Sequence, residues 1–151
     1  MQKENLGAKF NDLKVRVELI REGNSHEGPI IKCSQDVVEM MQYLARKDRE
    51  YFICMHLNAK NMVVGVETVA IGTLDACMVT PREVFKAAIM NNAREVILVH
   101  NHVSGNSSAS KEDIKITNRL VEAGKIIGIE VLDHIIIAGS NYFSFKDENM
   151  I

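Results

Sequence analysis

Two histidines one residue apart close an apolar run, Val96-Ile97-Leu98-Val99 leading into His100-Asn101-His102. Side chains alternate across a strand, so positions 100 and 102 project to one face and their imidazoles can share a bound ion. Placing two polar rings at the end of a buried strand is costly unless they gain a partner there. The polar stretch from Val103 to Ala109 can turn the chain back, and Ser110-Lys111-Glu112-Asp113 then opens a helix. Asp113, on the first turn, can approach the face that carries the imidazoles. Taken alone, Ser110 and Asp113 read as a helix cap, with serine at N-cap and an acid at N3. That reading leaves Asp113 free to serve both ends. Two imidazoles, one carboxylate and a fourth position for water make an open zinc site of the hydrolytic kind.

These residues need a scaffold, and the rest of the chain supplies alternating strand and helix signals. Val15 to Ile20 alternates and reads as a strand in an N-terminal extension, residues 1–33, whose first 14 residues are polar and loose. Ser34 is a plausible N-cap for a helix with Val38, Met41, Leu44 and Ala45 on one face. Tyr51 to Leu57 and Met62 to Ile71 read as a β-hairpin around the turn Asn58-Ala59-Lys60-Asn61. Thr80-Pro81-Arg82-Glu83 starts a helix with threonine at N-cap, proline at N1 and glutamate at N3. That helix continues through Val84, Ala87, Ala88 and Asn91 to about Asn92. The strand Glu95 to His100 is apolar without alternation, the mark of a strand covered on both faces. The helix after Ser110 presents Ile114, Thr117, Leu120 and Val121 inward and reaches Gly124 or Gly128. Ile129 to Leu132 and His134 to Ala138 read as two short strands, and Tyr142 to Phe145 as a last one. Interleaved helices and strands with a hairpin predict an α/β (α+β) fold, a mixed β-sheet flanked by helices, in the domain 34–151.

Composition narrows the class. At 151 residues, with 46% hydrophobic and 25% charged residues, the chain fits one soluble domain. Its longest apolar runs are too short to cross a bilayer, and its first residues lack a secretory pattern, so a cytoplasmic protein is expected. Cys33, Cys54 and Cys77 are odd in number and form no CxxC pair. They read as small buried hydrophobes rather than as a disulfide framework. A net charge of −2 and 5% aromatic residues lack the electrostatic footprint of a dedicated nucleic-acid binder.

The string His-Asn-His at 100–102, Ser-Gly at 104–105 and Ser-x-x-Asp at 110–113 resembles the JAMM motif of the JAB/MPN metallohydrolases, and in particular their bacterial RadC-like branch. The flanking segments Gly72-Thr73-Leu74-Asp75, Pro81-Arg82-Glu83-Val84 and Leu132-Asp133-His134 also look like RadC-family text, so the resemblance covers about residues 34–146. Departures fall outside the ligand positions: Val103 stands where the family usually has proline, Asn106 where it has an acid, and Ser107 and Ala109 where prolines are common. A loop poor in proline is less rigid.

The resemblance implies the MPN/JAB layered architecture, Zn2+ as cofactor, and His100, His102 and Asp113 as its ligands. It implies that Ser110 hydrogen-bonds the oxyanion of a tetrahedral intermediate and that a distant glutamate serves the attacking water. Glu95 lies five residues before His100 on the opposite face of the same strand, and Glu83 is explained as a capping residue. Glu50, between a helix end and the strand Tyr51 to Leu57, looks like the family's glutamate position; Glu67, polar within a strand, remains the alternative. Asp133 and His134 line the substrate groove, orient a ligand histidine or, equally, make a structural hydrogen bond, whereas His26 and His56 carry no pattern.

The function so implied is a zinc metallopeptidase or isopeptidase acting on a peptide or protein. The alternative is a RadC-type role in DNA repair or a mobile element, binding nucleic acid or a partner without hydrolysis. Longer family members carry a helix-hairpin-helix-like module that this chain begins too late to hold, so its DNA binding is not carried over. An HNH nuclease spreads its three residues over a ββα unit with long gaps, which the contiguous His-Asn-His does not match. A degenerate, non-catalytic MPN scaffold would have lost ligand positions that are all present here. The absence of a Pro-Cys-x-x-Cys excludes deaminase-type zinc chemistry.

Overall fold

The computed structural model describes residues 15–24, 28–72 and 79–151. Helix α1 (Ser34–Met41) runs into a 3-10 segment (Gln42–Arg46) and is followed by the hairpin strands β1 (Tyr51–Leu57) and β2 (Val63–Ile71). Helix α2 (Pro81–Met90) leads to β3 (Glu95–Asn101), and α3 (Lys111–Ile127) to β4 (Glu130–Ala138) and β5 (Asn141–Ser144). The five strands form one mixed sheet in the order β2-β1-β3-β4-β5. Only β3 and β4 run parallel, and α3 is the crossover between them.

The sheet has two apolar faces. One packs Phe52, Cys54, Val96, Leu98 and Val131 against Val84, Phe85 and Ala88 of α2 and Ile116 and Leu120 of α3. The other packs Ile53, Met55, Ile97, Val99, Ile135 and Ile137 against Val37, Val38 and Met41 of α1, with Leu44. Central β3 is covered on both sides, which is why its sequence is apolar without alternation. His100 is therefore the point where the α2/α3 face of a fully buried strand turns polar. The α+β architecture expected from the element order is the one observed.

Helix α3 sets the distance between the crossover and the sheet. Gly128 ends it at φ +84°, a left-handed cap that favours glycine. At Gly124 an added Cβ would lie 2.5 Å from the Ile129 carbonyl oxygen, so only glycine lets α3 return this closely onto β4. Ser110 caps the other end as expected, its hydroxyl accepting from the Asp113 N–H at 3.1 Å.

Several local expectations are corrected. Residues 15–20 carry no strand, and Val15, Val17 and Ile20 are exposed; alternation prepares a face, but a strand also needs a neighbour to bond. The two strands expected at 129–138 are one, β4. A register irregularity lets Val131 pair with Val96 and Asp133 with Ile97, and Leu132 between them mimics a break in the pattern. The N-cap of α1 is Cys33 rather than Ser34, because Asp36 accepts from the Lys32 and Cys33 N–H groups and Ser34 bonds Asp147 instead. Thr80 sits at N-cap of α2 without a side-chain cap bond. On α3 the buried apolar positions are Ile116 and Leu120, while Ile114 and Val121 are half-buried. Cys54 is buried but Cys33 is exposed. Residues 1–14, His26, Cys77 and the rest of residues 73–78 lie outside the described residues. No helix among the described residues is long and apolar enough to cross a membrane.

Candidate metal centre

His100 lies in the last turn of the β3 ladder, fully buried. His102 continues the pairing with β4, its N–H donating to the Ile137 carbonyl at 2.9 Å. Asp113 comes from the first turn of α3, and one ligand-type atom of each of the three residues lies within 4.8 Å of the others. His100 Nε2 is 2.9 Å from His102 Nε2 and 3.2 Å from Asp113 Oδ1, and His102 Nε2 is 3.3 Å from Asp113 Oδ2. Asp113 Oδ2 also accepts from the Ser110 N–H at 2.7 Å, so the carboxylate caps its helix and faces the imidazoles together.

The outer hydrogen bonds assign the protons, since the network decides each tautomer. Thr117 donates its hydroxyl proton to the Asp113 carbonyl at 2.6 Å, so it must accept from His134 Nδ1–H, also at 2.6 Å. His134 Nε2 is then an acceptor, and His100 Nδ1–H donates to it at 2.8 Å. His102 Nδ1 lies 2.8 Å from the Asn106 carbonyl, which can only accept. In their neutral forms both His100 and His102 therefore turn an Nε2 lone pair toward Asp113. Two lone pairs and a carboxylate converge, and only a cation satisfies them: a proton held by one imidazole, or a metal ion held by all three. Ligand atoms around a tetrahedral zinc stand about 3.3 Å apart, so the donor set fits that ion.

The electrostatics agree with a cation-seeking site. Burial lowers the pKa of His100 and, further, that of His134, keeping both neutral. The hydrogen bond to Asp113 raises that of His102. Burial pushes the Asp113 carboxyl up, but hydrogen bonds with His100 and His102 outweigh it and hold the group well below the usual carboxylate range. Phe52 stacks on His100 and Phe145 on His134, fixing both ring planes.

Glu50 stands just before β1 at the same end of the sheet. Its charge favours the protonated form of both His100 and His102, as the smallest of the effects acting on each. Asn101, the middle residue of His-Asn-His, holds it there. The Asn101 amide accepts from the Tyr51 N–H at 2.7 Å and donates to the Arg49 carbonyl at 3.0 Å, clamping the residues on either side of Glu50. On the other side the Glu50 carbonyl accepts from the Gly72 N–H at 2.8 Å. Ser110 is exposed beside Asp113, its oxygen occupied by the cap and its own proton left to give.

The other expected acids lie elsewhere. Glu67 is on the edge strand, 3.9 Å from His56 Nε2. Glu95 begins β3 at the end opposite His100, and Glu83 pairs with Lys86 at 3.1 Å on the surface without capping α2. Asp133 ties β4 to the residues after it, accepting from Ser144 Oγ at 2.6 Å and the Lys146 N–H at 3.0 Å. His134 alone of that pair reaches the cluster, through His100. Sequence reasoning missed the roles of Asn101 and Thr117; the signal for Asn101 was a polar residue between two candidate ligands at the end of a buried strand.

His56, which carried no pattern in sequence, is buried on the same face nearer the edge of the sheet. Burial and then the Arg21 charge push its pKa down to about 4. An unfolded histidine takes up its proton near pH 6.5, so acid favours unfolding once pH falls below that value, and the loss is complete near pH 4. Urea unfolding is expected to show about 2 kcal/mol less stability from this group at pH 5 than at pH 7. In His56→Gln that share of the pH slope should vanish; an unchanged slope would mean that His56 titrates normally.

A family model described as "RadC-like JAB domain" matches residues 31–150. Among curated relatives, a "UPF0758 protein" of Desulforamulus reducens is 51% identical over 123 residues, covering 81% of this chain and 54% of its own. One of Desulfitobacterium hafniense is 43% identical over 151 residues, covering 95% of this chain and 65% of its own. One of Methanosarcina mazei is 48% identical over 122 residues, covering 80% and 53%. The chain thus spans about half to two thirds of the length of these relatives.

Proposed function

We propose that this chain, which belongs to the family of RadC-like JAB domains, is a zinc-dependent hydrolase that cleaves an amide bond in a peptide or protein. The observation that carries this reading is the convergence of the His100 and His102 Nε2 lone pairs on the Asp113 carboxylate, each fixed from behind by a second hydrogen bond. Such outer partners orient imidazoles for a metal and raise their basicity. His100, His102 and Asp113 would hold the ion.

Zinc, when bound, polarises a carbonyl and brings the pKa of water toward about 7. The chain's own residues supply the rest. Glu50, held between the Asn101 clamp and Gly72, takes a proton from the attacking water as it adds to the amide carbon. The Ser110 hydroxyl donates to the developing oxyanion while its oxygen keeps the Asp113 N–H. Glu50 then passes its proton to the leaving nitrogen, the C–N bond breaks, and the products are an acid and an amine. The buried rings of Phe52 and Phe145 keep water from the rear of the imidazoles.

Metal content of the purified, tag-free chain by plasma mass spectrometry tests the reading. About one zinc per chain, absent from the His100→Ala/His102→Ala variant, supports it and justifies a peptide-cleavage screen. A chain that takes up no zinc on reconstitution would leave Ser110 and Asp113 as a helix cap and favour a partner-binding domain without hydrolysis.

A further inference from the structure

A second polar site lies away from the His100, His102 and Asp113 cluster. A cavity of about 810 Å³ opens between residues 19–23 and the first half of β2, lined by Ile20, Arg21, His56, Val64, Glu67 and Asn91 among others. At its floor His56 is only 3% exposed. Its Nε2 and the Glu67 Oε2 are 3.9 Å apart, and both atoms are buried without a hydrogen-bond partner among the described residues. Buried polar groups are rarely left unpaired, so this pair calls for an occupant.

The network says what kind. Arg21 Nη2 donates to Asn91 Oδ1, which fixes the amide of Asn91. Asn91 Nδ2 then donates to the Val64 carbonyl and faces His56 Nδ1, each at 3.2 Å. His56 Nδ1 therefore accepts, and the ring proton sits on Nε2. The floor offers one donor beside one acceptor. A metal ion would find a single carboxylate and, beside it, an N–H in place of a lone pair; an anion meets Glu67, and an ammonium meets the Nε2–H. A side-chain carboxamide fits: its C=O and the N–H syn to it point the same way, about 2.3 Å between oxygen and nitrogen, and can bond the two groups in parallel, which a trans backbone amide cannot.

The sheet edge says how it is presented. Residues 28 and 29 bond Val63, and beyond that point no strand among the described residues pairs with the outer side of β2. Edge strands of this kind accept an extended chain. Val66 and Ile71 are exposed along it, ready for apolar side chains. β2 then runs to Gly72, which bonds Glu50, so a chain laid on this edge is led toward the other site.

We propose that the groove between β2 and residues 19–23 docks an extended peptide bearing a Gln or Asn, whose side-chain amide pairs with the His56 Nε2–H and the Glu67 carboxylate. The proposal goes beyond hydrolysis and needs no metal, so it stands or falls apart from the reading of the metal centre.

The test is a titration of the 15N-labelled chain with acetyl-Ala-Gln-Ala-Gln-Ala-amide, followed by amide and histidine-ring NMR. Saturable shifts at residues 20–23 and 64–68, with His56 in the Nε2–H form, are expected, and they should persist after EDTA treatment. His56→Phe and Glu67→Leu should each weaken binding about tenfold, the loss of one buried hydrogen bond. Ala87→Met, which narrows the same groove while leaving both polar groups in place, should weaken it comparably and guards against misfolding of the other two. No saturable shifts, shifts confined to the surroundings of His100, an Nδ1–H ring, or equal shifts with glycerol alone would overturn the proposal.

Discussion

Glu50→Gln is expected to keep its zinc and to lose turnover by about 10²–10⁴-fold, the usual contribution of a positioned general base. The amide has the shape of the carboxylate but cannot take a proton at neutral pH. Glu50 precedes β1 at the end where Phe52 pairs with His100, and Asn101 binds the backbone on either side of it, whereas Glu67 sits against His56 on the edge strand. The comparison is kcat/KM on a peptide cleaved by the wild type, with zinc measured on the same preparations. Asn101→Leu should lower kcat less severely and leave KM and zinc in place, because it only frees the backbone on either side of Glu50. Lost zinc or undiminished activity in Glu50→Gln would place the base elsewhere.

Asp113→Asn separates the two duties of that side chain. The amide oxygen can still accept from the Ser110 N–H, so the helix cap survives and the metal-free protein should lose at most about 1–2 kcal/mol. The negative charge facing two neutral imidazoles is gone. Zinc binding in small protein sites is worth about 10–16 kcal/mol over four ligands, so one ligand carries about 3–4 kcal/mol. The affinity for zinc, measured by competition with a chelator, should therefore fall about 10²–10³-fold. Thermal melts of the metal-free proteins provide the second reading. Unchanged affinity would show that Asp113 serves only as a cap.

Much of the scaffold was legible in sequence because the signals were local. β1 begins and ends where Tyr51 to Leu57 turns apolar, Pro81 at N1 starts α2, and Gly128 ends α3, each a matter of backbone geometry within one or two turns. The two strand errors share one cause. Residues 15–20 have the alternation of a strand and no partner, and β4 reads as two strands because Leu132 sits at an irregularity of the pairing with β3. Pairing is decided by neighbours distant in sequence, which a local pattern does not contain.

The same division runs through the site. The sequence by itself determined its donor set, because His100 and His102 alternate to one face of a strand and the Ser110 to Asp113 spacing puts a carboxylate on the first turn of the helix that follows. Those relations are set within one short stretch of chain, by the period of a strand and the pitch of a helix. Only the tertiary structure decided what stands behind and beside them. His134 reaches His100 across the parallel β3–β4 pair, 34 residues away, and Thr117 fixes its ring from α3. Asn101 reaches back 50 residues to clamp the chain around Glu50. His56 meets Glu67 across the hairpin and Arg21 steadies Asn91 from the extension, making a second site that no motif announces. Such contacts depend on strand order and on which face each residue takes once the sheet is assembled, and spacing along the chain encodes neither.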